Sequence, residues 1–164
     1  MSGTLAQGGE DYLLFLLSGE RYGVPIGVVR EVVRLSLVTP VPGARSDILG
    51  VMNVRGRILT LFDLRRSLRV DAPPPDPRNR ALLTMAGEEE VAALVDEILG
   101  VLHITPEEFE PAGALGGGDR PHLRGIARQG KSLVVLLDLP VLIDVADAPQ
   151  TIAPPAIERS WGGR

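Results

Sequence analysis

The chain has 164 residues, a net charge of −4 and no cysteine, which fits one domain or two small subdomains and excludes disulfides, thiolate metal sites and a cysteine nucleophile. The acidic balance also argues against holding nucleic acid by its phosphates, which takes a concentrated basic surface. Aromatic residues are only 4% of the chain against 45% apolar residues in all, so Val, Leu and Ile must fill the core.

Met1 to Asp11 has no basic stretch followed by an apolar one. It reads as a flexible N-terminus and not as a secretory signal, and the expected location is cytoplasmic. Tyr12–Leu17 has strand length and is far too short to span a bilayer. Ser18-Gly19-Glu20-Arg21 supplies a turn, and Tyr22-Gly23-Val24 reads as the returning strand, with Pro25 at its end or edge. Val28–Leu35 fits a strand by its alternation and β-branching, although Ile26, Val29, Val32 and Val33 also suit a helical turn. The strand is the expectation.

Pro40-Val41-Pro42-Gly43 marks a loop. Ile58–Leu64 is apolar on both faces apart from Thr60 and Asp63, so it reads as a strand covered on both sides. Asp71–Pro77 holds four prolines in seven residues. It favours extended geometry, and 71–78 is the expected connection between two halves at 12–70 and 79–144. Ala81–Met85, Val91–Val95 and Ile98–Ile104 are the next strand candidates. Thr105-Pro106-Glu107-Glu108 is a capped helix start that Pro111 keeps short. Gly113–Gly118 reads as a flexible loop, Asp138-Leu139-Pro140 opens a short helix through Ile143, and 145–164 reads as a disordered tail.

Two stretches nearly repeat one another. Gly50-Val51-Met52-Asn53-Val54-Arg55-Gly56-Arg57 leads into Ile58–Leu64, and Gly125-Ile126-Ala127-Arg128-Gln129-Gly130-Lys131-Ser132 leads into Leu133–Leu139. In each the aspartate, Asp63 or Asp138, stands 13 residues after the first glycine. A duplication of this length predicts two similar modules that bury surface against each other. Many short strands with turn signals and few helices predict an all-β protein.

The second copy matches G-x-x-x-x-G-K-[ST] at Gly125–Ser132 letter for letter, the pattern of a phosphate-binding loop. That chemistry needs a helix opening at the lysine, whose N-terminus receives the anion. Here Lys131-Ser132 is followed by Leu-Val-Val-Leu-Leu, a strand pattern, so the segment reads as strand, tight turn, strand. Nucleotide binding at Gly125–Ser132 and oligonucleotide binding by a small barrel remain as alternatives to the main reading. His103 and His122 have no neighbours at metal-ligand spacing, and His103 reads as a partly buried strand residue. Asp63 and Asp138 read as caps of the segments that follow them. Glu88-Glu89-Glu90 reads as a solvated turn. No active site, cofactor or metal is expected.

Residues 12–144 resemble the CheW family, the small scaffold proteins of bacterial chemotaxis arrays, whose fold also forms the regulatory domain of the CheA histidine kinase. Ile48–Ile58 followed by Asp63-Leu64-Arg65 is similar to the family's glycine–Asn-Leu-Arg-Gly–apolar–Asp-Leu-Arg signature. Tyr22–Val24, Val29–Val32, Val38–Pro42, Val95–Ile98, Ile104–Pro106, Leu123–Ile126 and Leu136–Leu139 match further blocks. Pro25, Thr60 and Arg45 depart from the pattern outside the signature. The resemblance implies two packed SH3-like five-stranded barrels and a non-catalytic adaptor between a CheA-type kinase regulatory domain and the cytoplasmic tip of methyl-accepting chemoreceptors. The adaptor would be recruited to membrane arrays without inserting into the membrane.

Carried over by position, Val29 and Gly50 are receptor-groove residues. Glu31 and Arg55 are a pair bracing the adjacent kinase-binding surface, and Asn53 and Gly56 shape the turn that presents it. Val29 also fits a plain core position, and Gly50 a turn that a side chain would block. An apolar groove where the two halves meet is the expected seat for an amphipathic helix.

Overall fold

Alternation along the first strand sets the plan of the whole molecule. In β1 (Glu10–Leu17), Leu13, Phe15 and Leu17 point to one face and Tyr12 and Leu14 to the other, and each set joins a different apolar core. The computed structural model describes residues 8–115 and 120–143. Within them β1 is followed by β2 (Glu20–Pro25), β3 (Glu31–Arg34), β4 (Val38–Thr39), β5 (Ile48–Val54) and β6 (Arg57–Asp63). A four-residue helix α1 (Leu64–Ser67) closes this series. Then come β7 (Arg80–Ala86), β8 (Glu89–Val95), β9 (Glu97–Ile104), β10 (Phe109–Pro111), β11 (Leu123–Gln129), β12 (Ser132–Leu137) and α2 (Leu139–Leu142).

The strands form two six-stranded sheets, ordered β10-β11-β12-β2-β1-β9 and β3-β7-β8-β6-β5-β4. Each has five principal strands and a very short sixth, β10 or β4, at one edge. The sheets are consistent with two SH3-like subdomains, and the protein is mostly β as its sequence predicts.

The duplication is complete at the level of topology. β1–β6–α1 and β7–β12–α2 follow the same order. Each copy has an opening antiparallel hairpin, β1–β2 or β7–β8, and a closing one, β5–β6 or β11–β12. Among the described residues the only parallel pairs are also equivalent, β6 with β8 and β12 with β2. These pairings cross between copies. β3–β6 of the first copy complete their sheet with β7–β8 of the second, and β9–β12 complete theirs with β1–β2 of the first. One sheet is therefore continuous in sequence, and the other is split around it.

This corrects the expected boundary at 71–78. That segment has no helix or strand, but it joins β6 to β7 within the continuous sheet. Proline content shows where regular structure stops, not which sheet the next strand enters. The real steps between sheets lie elsewhere. One is the 3₁₀ turn Ile26–Val28 that follows Pro25, and the other is Asp96 between β8 and β9. The turn also corrects the expected strand at 28–35, which starts only at Glu31. Once Pro25 ends β2, the chain must leave one sheet before Arg30 N–H can donate to Leu83 C=O in the other.

Three cores hold the fold. Met52, Val54, Leu59, Leu61, Leu83 and Leu94 fill the continuous sheet, and Tyr12, Ile104, Ala127, Val134 and Leu136 fill the split one. The largest core lies between the sheets, where Leu13, Phe15, Leu17 and Leu137 meet Phe62, Leu64, Leu82, Val91 and Val95. Phe62 belongs to this shared core while Leu59 and Leu61 of the same strand belong to the inner one. That division explains why β6 is apolar on both faces. The interior of the junction is a closed core, since these side chains are each nearly inaccessible.

Local signals resolve as the chemistry requires. At the 3₁₀ turn Pro106–Glu108 the Glu108 carboxylate accepts from Thr105 N–H at 3.0 Å, and Glu108 N–H donates to the Thr105 carbonyl. Asp63 and Asp138 cap α1 and α2 by accepting from Arg65 N–H and Val141 N–H. Residues 112–115 form a 3₁₀ turn where a loop was expected, while 116–118, residues 1–7 and the tail from 144 lie outside the described residues.

Candidate functional site

Four of the six expected site residues converge on the β5–β6 hairpin. The connection is the two-residue turn Arg55-Gly56, with φ of +50° and +86°. Both central residues are left-handed, the geometry whose twist matches the flanking strands, and glycine adopts it without a Cβ penalty. Asn53 fixes the turn: its Oδ1 accepts from Gly56 N–H at 2.9 Å, and its carbonyl accepts from Ser36 Oγ at 3.1 Å. Arg55 reaches across to β3 and donates to the Glu31 carboxylate. Both side chains are exposed, at 61% for Arg55 and 42% for Glu31. The hydrogen bond from Arg55 holds the Glu31 carboxyl below its ordinary range, and the reciprocal bond raises the Arg55 guanidinium.

Val29 and Gly50 do not join this group. Val29 is half-buried against the shared core, the plain packing role that its sequence allows. Gly50 is buried, with φ +151°. A Cβ there would strike the Thr39 carbonyl and lie 3.0 Å from Pro40 Cα. Its repeat equivalent Gly125 is likewise pressed against the Glu110 carbonyl and the Phe109 ring. Both glycines let a short edge strand, β4 or β10, lie directly on the bulged start of a long one. Gly50 therefore shapes the site from beneath.

Several neighbours are not evident from the sequence. Glu90 is not a solvated turn residue. It is half-buried and paired with Arg57 and, at 3.6 Å, with Arg30. Next to the hairpin is a surface depression of about 380 Å³, lined by Leu37, Val51, Met52 and Ile58 with the polar Ser36, Thr39 and Asn53. Leu37 is 85% exposed, far more than any other large apolar residue among those described. Its place between Ser36 and Val38, inside a largely apolar run, gives no sign of this exposure.

The Gly125–Ser132 stretch is a β-hairpin. β11 runs to Gln129, Gly130-Lys131 turns with Gly130 at φ +61°, and β12 starts at Ser132. No helix begins at Lys131, so the feature that makes a phosphate cradle is missing. Among the described residues, no group of three or more His, Asp and Glu side chains could hold a metal ion. No helix among them is long and apolar enough to cross a membrane.

Two sheets built as exchanged halves carry an exposed ion-paired hairpin beside a mostly apolar depression, a surface suited to contact with another macromolecule. The CheW-like domain matches residues 11–147, and the chain belongs to that family. It is 27% identical over 146 residues to a probable chemotaxis protein CheW of Rhizobium etli, covering 88% of this chain and 94% of that one. It is 30% identical over 139 residues to protein FrzA of Myxococcus xanthus, covering 84% and 87%. The crystal structure of the scaffolding protein TtCheW from Thermoanaerobacter tengcongensis superposes with a TM-score of 0.74 at 25% identity, covering 84% of this chain and 94% of that one.

Proposed function

We propose that this protein is a non-catalytic adaptor that couples transmembrane chemoreceptors to a CheA-type histidine kinase in a chemosensory or motility array, at the cytoplasmic face of the membrane. The observation that carries this reading is the exposed Glu31–Arg55 brace on a rigid hairpin beside an apolar depression. Such a surface can give a partner both an apolar seat and an oriented charge. The Arg55-Gly56 hairpin is assigned to the kinase regulatory domain. Val29 acts on the receptor side by shaping the surface where the two sheets meet, and Gly50 by holding β4 in place.

The test is calorimetric titration of the full chain with a kinase regulatory domain and with a receptor-tip hairpin peptide. Arg55→Ala and Glu31→Gln should each weaken kinase binding at least several-fold while leaving the melting temperature unchanged. The reversed pair Glu31→Arg with Arg55→Glu should restore the brace without restoring affinity. Unchanged kinase binding in all three variants would remove the hairpin from the interface.

A further inference from the structure

His103 has an arrangement that only its protonated form can satisfy. It stands directly opposite Asp11 in the β1–β9 ladder, near the end of both strands. Its Nδ1 lies 2.7 Å from Asp11 Oδ1, and its Nε2 lies 2.8 Å from the Gly8 carbonyl. Both partners are acceptors. A neutral imidazole carries one N–H and can serve only one of them, whereas the imidazolium donates to both. The sequence reading of His103 as partly buried is corrected here: its ring is 54% exposed, because this end of β9 is a sheet edge.

The chain entering β1 is fitted to that ring. Gly9 has φ +98°, and a Cβ on it would strike the Ile104 carbonyl and come within 2.9 Å of His103 Nε2. The backbone at Gly9 thus lies directly against the end of β9, a path that only glycine can take at that position. The charged groups around the ring favour the proton. Asp11 comes from β1, and Glu108 from the 3₁₀ turn after β9 also acts to raise its pKa. Glu10, the other acid at this end of β1, is turned to Arg124 at 3.1 Å. The hydrogen bond to Asp11, then that to Gly8, place the imidazole above its ordinary range. The other histidine, His122, moves the opposite way, lowered by burial and then by Arg120.

We propose that His103, Asp11 and the Gly8-Gly9 backbone form a proton-operated clasp that holds the Gly8-Gly9 segment against the end of β9 and releases it as the imidazolium loses its proton. The group is raised in the folded state, so the clasp is fully closed below the ordinary imidazole pKa. It opens as pH rises through the higher folded value.

Proton and nitrogen NMR of the full chain across the neutral range tests this, with His122→Gln assigning the two rings. His103 should titrate above His122, the Gly8 and Gly9 amide signals should move with the His103 midpoint, and their heteronuclear NOE should fall on its alkaline side. Asp11→Asn should lower the midpoint, and His103→Gln should abolish the pH response of Gly8 and Gly9. A His103 midpoint at or below that of His122 would overturn the proposal. So would glycine signals indifferent to its titration, or a response that survives His103→Gln.

Discussion

Arg65 heads the largest buried side chains among the described residues, and removing its charge should be strongly destabilising. The side chain is 2% exposed. Nε and Nη2 grip both oxygens of Asp63 at 3.0 Å, Nη1 donates to Asp96 at 2.8 Å, and Nη2 also donates to the Pro73 carbonyl at 2.9 Å. Burial opposes the guanidinium charge, but Asp63 and Asp96 outweigh it and hold Arg65 above the ordinary arginine value. Asp96 extends the network by accepting from Ser18 N–H and, through its carbonyl, from Asn79. One cation therefore ties α1, the β1–β2 turn, the β8–β9 step and the proline-rich segment together.

Arg65→Met keeps most of the apolar stem but leaves the Asp63 carboxylate, 1% exposed, without its main partner. Breaking a buried pair from one side costs about 3–5 kcal/mol. Asp96 is 24% exposed and regains water, and Arg66 at 3.7 Å still partly serves Asp63. These place the loss near ~3 kcal/mol, or roughly 10 °C in melting temperature for a chain of this size. Urea unfolding followed by circular dichroism measures it. The double variant Arg65→Met with Asp63→Asn should lose less than the two single losses added together, since it removes both charges of the buried pair while each single change strands one. A single-variant loss under about 1 kcal/mol would refute the idea that this network clamps the two sheets.

Gly50→Ala and Gly125→Ala should each destabilise by at least about 1 kcal/mol in the same assay, because the new methyl group displaces the backbone of β4 or β10; a neutral outcome would mean these edge strands sit more loosely than described. Asp138→Ala should lose about 1 kcal/mol from the uncapped α2. Magnesium-ATP should show no saturable binding by calorimetry, and Lys131→Ala should change nothing; a micromolar affinity lost in that variant would restore the phosphate-loop reading. Kinase binding should persist at neutral pH and fall only on acidification below the ordinary carboxylate range. Glu31 is lowered in the folded state, so its pairing is present above the unfolded pKa and lost as pH drops through the folded one.

Features encoded over a few neighbouring residues were legible in the sequence. The Ser18-Gly19 turn, the Thr105–Glu108 cap, the two capping aspartates and the hairpin at Gly130-Lys131 each depend on side chains within four positions of one another. The two-faced burial of β6 was equally plain, because a strand between two cores carries that fact in its own composition. What stayed hidden was who pairs with whom. Glu90 looks solvated until the fold brings Arg30 and Arg57 to it, and nothing near Asp96 in the chain announces that Arg65 reaches it from α1. Glu31 and Arg55 are 24 positions apart, and they came from resemblance, not from local pattern. Gly50 was placed on the docking surface by the same route, and its packing shows why the position tolerates nothing larger. Crossing of the hairpins between copies was the deepest omission, since two repeats packed side by side and two repeats traded would have near-identical strand patterns.

That trade sets an order on biosynthesis. As the nascent chain leaves the ribosome, β1–β2 emerges first, but its neighbours β9 and β12 are 72 or more residues behind it, from Pro25 to Glu97. Residues 31–95 can meanwhile complete their own sheet, as contiguous units do during synthesis. The opening hairpin must wait, with Leu13, Phe15 and Leu17 uncovered or resting on the finished half, until translation delivers the strands that enclose it. Early truncation products should for this reason be the aggregation-prone species of this protein, and chaperones should engage the β1–β2 hairpin.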